Sequence, residues 1–227
     1  MTDVNLPVDP DDVSPELARK RELRRDLGAT RKARSEAERE VVSKQLLEQL
    51  KLLPEFAEIM ALPAVGSIGA YVSYAGEPRT TDIRAFVADN GIGCALPIIR
   101  PDFALDWAWD SELVAPGRNY AGVPEPTGDV VAHGADGIVS LHCRVLLVPA
   151  LAVDARGYRM GKGGGFYDRL LLGLEPLEAR PLMVAVVHDD EVFDELPVED
   201  HDHPVDAVIT PTQIIRIPGR RTYIPFT

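Results

Sequence analysis

The sequence of 227 residues predicts an α/β protein: a three-layer, doubly wound, mostly parallel sheet with helices on both faces. Strongly apolar runs at 93–99, 144–151 and 182–187 are the first observation, because strands buried on both faces lack a polar alternation. The second is that helical patterns separate these runs, as in βαβ units. Third, no internal repeat or domain boundary interrupts the pattern, so 14–227 is predicted to form a single domain.

The chain is predicted to begin with an unstructured segment and two helices. Residues 1–13 contain two prolines, four aspartates and no periodic apolar face, which predicts a disordered acidic tail. Ser14, followed by proline, is typical of a helix N-cap, and Gly28 predicts the end of that helix. The pattern S-x-x-E at 35–38 is a capping box, so a second helix begins there and ends by Pro54. That helix carries an apolar stripe of Val41, Val42, Leu46, Leu47 and Leu50.

The remaining elements follow from local apolar patterns and from turn residues. Residues 103–109 alternate as in a half-exposed strand, and 115–137 are rich in proline and glycine, which predicts a long loop. The predicted strands are 67–73, 93–99, 103–109, 144–151, 182–187 and 205–210, and the predicted helices run from Thr81–Asp82 to Gly91 and from Phe166 to about Leu172.

Charge and composition limit the classes of function that the protein can have. A net charge of −12 argues against bulk binding to nucleic acid or to a membrane surface. Ten of the 24 basic residues lie within 19–44, which indicates either a localised anion site or a solvated helix face. The sequence has no apolar run near the length of about 18–20 residues that spans a membrane, and its acidic N-terminus is unlike a signal peptide, so a cytoplasmic protein is predicted. Cys94 and Cys143 are far apart and predict ordinary reduced thiols.

A glycine-rich loop is the strongest local signal. The string RMGKGGGFYD (159–168) follows the apolar strand 144–151 and leads into a helix. Four glycines can turn successive N–H groups towards one anion, the helix N-terminus adds positive potential, and Lys162 adds a full charge. Phosphate is the expected guest, although the string matches neither a Walker A loop nor a dinucleotide fingerprint, and a purely structural turn stays open. Asp168 would either meet phosphate through a magnesium ion or simply favour the helix N-terminus.

Four segments, in order, resemble the 5-formyltetrahydrofolate cyclo-ligase family. RMGKGGGFYDRLL resembles the family signature R-x-G-[RK]-G-x-G-[YF]-Y-D-x-x-L at every specified position. The others are KRELR at 20–24, YVSYAGEPRT at 71–80 and LPVEDHDHPVDAVIT at 196–210. The resemblance covers about residues 18–210 and leaves the acidic tail and the last ~15 residues outside.

The resemblance implies a reaction and a fold. ATP and 5-formyltetrahydrofolate would give 5,10-methenyltetrahydrofolate, ADP and phosphate, with Mg²⁺ as the metal. The formyl oxygen would attack the γ-phosphate, after which N10 closes the ring and phosphate leaves. The folate could carry a polyglutamate tail, no obligate protein partner is evident, and the fold would resemble that of NagB, RpiA and the CoA transferases.

The resemblance also implies roles for individual residues. Lys162 and Tyr167 would be catalytic, with Lys162 and Phe166 also binding the folate substrate beside Val72 and Glu77. Glu77 would accept hydrogen bonds from the pterin ring, and Asp168 and Asp206 would bind the metal. The residues that would bind ATP are Lys20, Arg24, Arg159, Gly161, Lys162, Gly163, Gly164, Gly165, Phe166 and Tyr167.

Some positions depart from the family pattern and keep alternatives open. Gly164 stands where relatives often carry a second basic residue, and Ala121, beside Tyr120, stands where an aromatic residue is expected. A catalytically degenerate nucleotide- or folate-binding paralogue is therefore one alternative, and a sugar-phosphate isomerase or CoA-transferase-like enzyme is another. The acidic segment around HDH (201–203) is interpreted as a solvated loop, with Asp206 alone of this segment on the metal.

Overall fold

The computed structural model describes residues 15–111, 114–115 and 122–221. The predicted tail, the Ser14 cap, Tyr120, Ala121 and residues 222–227 lie outside these ranges. The helices are α1 (Pro15–Ala33), α2 (Glu36–Lys51), α3 (Pro54–Ala61), α4 (Thr81–Asp89), α5 (Gly134–Ser140) and α6 (Phe166–Leu174), with a 3-10 turn at Asp189–Glu191. The strands are β1 (Ser67–Gly69), β2 (Gly93–Ile99), β3 (Leu105–Trp109), β4 (Val114–Ala115), β5 (Glu125–Pro126), β6 (Ala132–His133), β7 (Cys143–Pro149), β8 (Ala152–Asp154), β9 (Arg159–Met160), β10 (Leu182–Val186), β11 (Val192–Phe193), β12 (Ala207–Ile209) and β13 (Ile214–Arg216).

Eight strands form the central sheet in the order β13-β12-β10-β7-β1-β2-β3-β6. The five strands from β12 to β2 are parallel to one another, whereas β13 and β3 are antiparallel to their inner neighbours. This arrangement confirms the predicted mostly parallel sheet. Its two antiparallel margins are reached by short connections, which a parallel strand could not use because a parallel crossover needs a dozen or more residues.

Strand β7 shows why the core strands are apolar throughout. Val145 and Leu147 belong to the apolar cluster under α2, α3 and α4, whereas Leu146 and Val148 belong to the cluster under α5 and α6. Successive side chains of a strand point to opposite faces, so a strand covered on both sides needs apolar residues at every position. The three-layer prediction is thereby confirmed.

Helix α1 does not end at Gly28 but continues to Ala33. Leu27 packs on the small sheet of β11, β8 and β9. Beyond the glycine, Arg31 is 1% exposed and donates to Glu191 and to the carbonyl of Ala150. These contacts stabilise the helix beyond Gly28 and offset the cost of glycine in a helix, which is about 1 kcal/mol relative to alanine.

Other elements differ from the prediction where the sequence signal was short. Strand β3 is buried at Leu105–Ala108 rather than half-exposed, because α5 packs against it and β6 pairs along its outer edge. Val41 in α2 is exposed rather than packed. The predicted strand 67–73 keeps ladder pairing only at Ser67–Gly69. The predicted loop 115–137 contains β5 and β6 and the start of α5. Helix α3 and strands β8, β9, β11 and β13 were not predicted.

The order of the strands creates a crevice between β1 and β7. The chain leaves β1 through α4 towards β2, and leaves β7 through α6 towards β10, in opposite directions along the sheet. Ligands in such sheets bind beyond the carboxyl ends of the strands where the direction reverses. Within the described ranges, the helices include none that is both long and apolar enough to cross a membrane.

Candidate active-site cleft

A cleft of about 540 Å³ opens at this reversal point. Its volume falls in the range of about 300–1,000 Å³ that is typical of small-molecule sites. Its walls come from α1, the segment after β1, the ends of β2 and β7, the glycine loop with the start of α6, and the loop at 199–202. The cleft brings together every predicted site residue except Asp206, from segments that are up to 150 residues apart in sequence.

The glycine loop has the backbone that its sequence requires. Gly163 and Gly165 have φ of +100° and +68°, in the left-handed region that favours glycine, and Gly165 is the N-cap of α6. Gly164 is needed for a different reason, since a Cβ there would lie 2.4 Å from the ring of Phe166. The glycine that departs from the family pattern is therefore explained by the packing of the neighbouring phenylalanine.

Lys162 connects the glycine loop to the predicted folate side of the cleft. Its Nζ lies 2.8 Å from Oε1 of Glu77, 3.2 Å from the carbonyl of Tyr74 and 4.9 Å from the centre of the Tyr74 ring. The other carboxylate oxygen of Glu77 accepts the N–H of Tyr74 at 2.8 Å. Glu77 is thus held in place by both of its oxygens.

Arg159 and Asp168 form an ion pair at the base of the loop. Nη2 of Arg159 donates to Oδ1 of Asp168 at 2.7 Å, and the side chains are 3% and 17% exposed. Arg24 of α1 donates from Nε to the carbonyl of Gly161 at 3.0 Å, which ties the helix to the same loop. Nε of Arg159 is buried without a partner, so this guanidinium keeps a donor for a further group.

Lys20 is held by two acidic residues of the 199–202 loop. Its Nζ lies 2.6 Å from Glu199 and 2.8 Å from Asp202, and the residue is 4% exposed. Burial opposes the charge on Lys20, but its hydrogen bonds to Asp202 and Glu199 outweigh this and raise the pKa of the amine. The interpretation of this segment as a solvated loop holds for His201 but not for Asp202, whose side chain is 12% exposed; Glu199 is 40% exposed, and both acidic side chains line the cleft.

Tyr167 presents a buried hydroxyl to the cleft. Burial raises the pKa of Tyr167, and the charge of Glu77 raises it further, so the phenol stays protonated. Its hydroxyl oxygen is buried with no hydrogen-bond partner in the described structure. An unsatisfied buried hydroxyl costs free energy, so this group is suited to bind a ligand atom.

Part of the cleft lining is apolar. Val72, Pro97, Ile99 and Leu105 line it, and the rings of Phe103 and Phe166 stack at its outer end with centroids 6.0 Å apart. Such a wall suits a flat heteroaromatic ring, whereas the glycine loop and its cations suit an anion.

Asp206 lies away from the cleft and is 0% exposed. Arg180 donates to both of its carboxylate oxygens, at 2.5 and 3.0 Å, and the N–H of Met183 donates to Oδ2 at 2.9 Å. The structure does not bring Asp206 together with Asp168 at the cleft, so the predicted two-aspartate metal site is not formed as stated. Asp202, four residues earlier, is the aspartate of this segment that lines the cleft.

Sequence reasoning missed Tyr71, Phe103, Glu199 and Asp202 as cleft residues. Phe103 sits in a short segment without a motif, whereas Tyr71 opens the segment 71–80 that resembles the family. Only the folded sheet brings both near the glycine loop. Asp202 lies inside the segment 196–210 that resembles the family, and this was the one sequence feature that could have pointed to it. Its pairing with Lys20 became visible only in the fold.

The comparisons with known proteins agree with one another. Residues 16–211 match the sequence profile of the 5-formyltetrahydrofolate cyclo-ligase family. A 5-formyltetrahydrofolate cyclo-ligase of Mycolicibacterium smegmatis is 36% identical over 151 residues, which cover 64% of this chain and 73% of the relative. The Escherichia coli enzyme of the same name is 33% identical, covering 65% and 79%. The NMR structure of Aquifex aeolicus 5,10-methenyltetrahydrofolate synthetase superposes with a TM-score of 0.68 at 28% identity, covering 91% of this chain and 96% of that one.

Proposed function

This chain belongs to the 5-formyltetrahydrofolate cyclo-ligase family, and we propose that the cleft at the β1–β7 reversal is where it acts. The protein converts 5-formyltetrahydrofolate to 5,10-methenyltetrahydrofolate at the expense of ATP, the activity that its family and its relatives share. One observation carries the site assignment: a cationic glycine loop and several apolar side chains line the same cleft, and Lys162 of the loop lies 2.8 Å from Glu77.

The triphosphate of ATP is assigned to the cationic half. Gly163 and Gly165 supply the left-handed turns that direct N–H groups towards an anion, and the N-terminus of α6 adds its dipole. Arg159 keeps an unpartnered buried donor for a phosphate oxygen. Lys20 and Arg24, one helical turn apart in α1, face this half from the other side.

The folate is assigned to the apolar half. Glu77 is fixed by Lys162 and by the N–H of Tyr74, so its carboxylate is pre-organised to accept the N–H groups of a pterin ring. Val72 and Phe166 contribute apolar contact area to the same ligand. Burying the ring against such side chains contributes about 25 cal/mol for each Å² removed from water.

The chemistry needs charge stabilisation where the two substrates meet. Transfer of the γ-phosphoryl group to the formyl oxygen depends mostly on positioning and on cations placed before the reaction. Lys162, which belongs to the glycine loop, already contacts Glu77. At this position it would stabilise negative charge on the transferring phosphoryl group. The protonated, unpartnered hydroxyl of Tyr167 would donate a hydrogen bond to the reacting oxygen.

A magnesium ion is proposed to enter with the nucleotide. The described ranges contain no group of three or more His, Cys, Asp or Glu side chains that could hold a metal, and so no all-protein cage. Magnesium usually keeps several waters and binds one or two carboxylates together with phosphate oxygens. Asp168 and Asp202 can supply the carboxylates, because both line the cleft, and ATP would supply the phosphate oxygens. The ion would neutralise negative charge on the phosphate oxygens.

Neither alternative function is favoured by the comparisons, which name cyclo-ligases and methenyltetrahydrofolate synthetases. The degenerate-paralogue hypothesis depended in part on Gly164, and that glycine makes room for the ring of Phe166. Its second basis, Ala121, lies outside the described residues.

A coupled assay tests the proposal. The purified protein is incubated with 5-formyltetrahydrofolate, ATP and magnesium, and each component is omitted in turn. We expect the absorbance of the methenyl product and the release of ADP to rise together only when ATP and the folate are both present, and omission of magnesium to reduce the rate strongly. Product without ATP would exclude phosphoryl activation, and tight ATP binding without product would favour the degenerate paralogue.

A further inference from the structure

We propose that Phe103, Phe166 and Arg169 form an outer subsite that holds the aminobenzoyl-glutamate part of the folate, with Arg169 binding a glutamate carboxylate. This inference rests on the proposed function and extends it to the end of the substrate that does not react. The sequence assigned no role to Arg169.

The aromatic part of the subsite is a stacked pair at the outer end of the apolar wall. The rings of Phe103 and Phe166 are 6.0 Å apart with an interplanar angle of 23°. Phe103 is 40% exposed, so part of its ring is accessible. Its φ of 67° is in the left-handed region, which is uncommon for a bulky residue and is found at ligand clamps.

Two features hold the pair in this geometry. The N–H of Phe103 donates to the carbonyl of Arg100 at 3.0 Å, which closes the turn between β2 and β3. On the other side, the absence of a side chain at Gly164 leaves the space that the Phe166 ring occupies. A substituted benzene ring could therefore pack against a surface that exists before it binds.

Arg169 lies one helical turn after Phe166 and extends over the same aromatic pair. Its guanidinium carbon is 5.1 Å from the centre of the Phe103 ring, a cation–π arrangement that holds the planar group beside a side chain that lines the cleft. Nη1 of Arg169 makes only a long hydrogen bond of 3.4 Å, to the carbonyl of Gly164. In the described part of the chain, no carboxylate forms an ion pair with this residue, so most of its donors face solvent.

The size of the cleft is consistent with part of the folate lying outside the pterin site. A volume of about 540 Å³ accommodates one drug-sized ligand, but this reaction needs ATP and a folate at once. With the triphosphate in the glycine loop and the pterin on Glu77, the proposed subsite places the aminobenzoyl ring against Phe103 and Phe166. The glutamate carboxylates follow that ring, and a guanidinium binds a carboxylate with two parallel hydrogen bonds.

The experiment compares two substrates that differ only in the glutamate: 5-formyltetrahydrofolate and 5-formyltetrahydropteroate, which ends at the benzoate. kcat and KM are measured for the wild type, Arg169→Gln and Arg169→Lys. We expect Arg169→Gln to raise the KM for the glutamate-bearing substrate about three- to fivefold, the scale of one exposed ion pair. The kcat should not change, the KM for the pteroate should stay at the wild-type value, and Arg169→Lys should show a smaller effect.

Lys44→Gln is the matched control, because Lys44 is exposed on α2 and its replacement removes the same charge. It should leave both KM values unchanged. Equal KM changes for the two substrates in Arg169→Gln, or no change for either, would overturn the subsite. Failure of the wild type to turn over either substrate with ATP would instead contradict the proposed function. Calorimetric Kd values for both compounds then test the subsite independently of turnover.

Discussion

At the scale of single residues, the site depends on charges whose partners come from distant parts of the chain. Lys162 pairs with Glu77 across the cleft, and Lys20 pairs with Asp202, 182 positions away in sequence. Both lysines therefore have carboxylate partners before any phosphate arrives. To bind these lysines, a nucleotide must compete with their carboxylate partners. A triphosphate can do so because it carries more negative charge than one carboxylate.

Replacing Lys162 by alanine should reduce kcat by about a hundredfold or more, the effect of removing one pre-organised charge-stabilising donor. Its side chain is 41% exposed, so the free energy of unfolding should change by less than about 0.5 kcal/mol. Steady-state kinetics and urea denaturation check the two statements, with Lys44→Ala as the matched control. Turnover near the wild-type level in a folded Lys162→Ala would contradict the assignment.

Replacing Asp206 by alanine tests its corrected role. We expect the free energy of unfolding to fall by about 3–5 kcal/mol, because the buried guanidinium of Arg180 and the N–H of Met183 lose their acceptor. Asp190→Ala is the control, since Asp190 pairs with Arg34 but is 54% exposed and should cost under about 1 kcal/mol. Urea denaturation measures both. A metal-ligand role would appear instead as unchanged stability with weaker binding of magnesium–ATP.

The residues that the sequence could identify are those that carry their signal locally. Glycines with positive φ, and the arginine and aspartate flanking them, are contiguous in 159–168, and the structure places all of them at the cleft. Asp206 and Asp202 are four positions apart in one acidic segment, and no local pattern says which of them faces inward. Their roles were separated by the fold: Arg180 reaches Asp206, whereas Lys20 reaches Asp202.

At the scale of elements, cap and strand signals were reliable where the local and tertiary preferences agree. The capping box at Ser35 and Glu38 is formed, and strand β2 spans Gly93–Ile99 as predicted. Helix α5 was missed because its sequence, GADGIVS, contains two glycines and reads as a loop. Ile138 and the closely packed Gly137 hold it against the sheet, so burial outweighs its low helix propensity.

The glycine within α1 leads to a prediction at this scale. A Cβ added at Gly28 would meet nothing within 4 Å, and the residue is helical, so Gly28→Ala should stabilise the protein by about 0.4–1 kcal/mol. Gly165→Ala is the matched control and should destabilise it, because Gly165 has φ of +68°. Midpoints of urea denaturation distinguish them. A lower midpoint for Gly28→Ala would mean that the glycine is needed for a bend in the helix.

At the scale of the whole molecule, the basic residues of 19–44 divide between the two roles that their composition allowed. Lys20 and Arg24 line the cleft, whereas Arg31 and Arg34 pair with acidic residues of the 3-10 turn. Arg21 and Lys44 lie exposed on their helices. Composition alone could predict a local anion site on an acidic protein, but not which side chains the fold would direct towards it.

The 3-10 turn that Arg31 and Arg34 contact follows a buried histidine, which should make stability sensitive to pH. His188 is 3% exposed, and burial lowers its pKa from the ordinary value of 6.5. The charges of Glu191 and Asp190 oppose this shift and those of Arg34 and Arg31 add to it, and the net effect is a lowered pKa. The unfolded chain therefore binds a proton more readily than the native state does. Stability contributed by the neutral imidazole is complete above pH 6.5 and is lost as the pH falls through the lowered pKa.

We expect the free energy of unfolding to fall as the pH is lowered from 7.5 to 5.5, with a slope of at most about 1.4 kcal/mol per pH unit from this group. In His188→Asn the fall should be shallower, because asparagine does not titrate, even if the variant is less stable at pH 7.5. Urea denaturation across this range measures both slopes. Identical slopes would mean that His188 binds its proton equally well in the native and unfolded states, which would require a partner for its ring nitrogens, both of which are buried without one in the described structure.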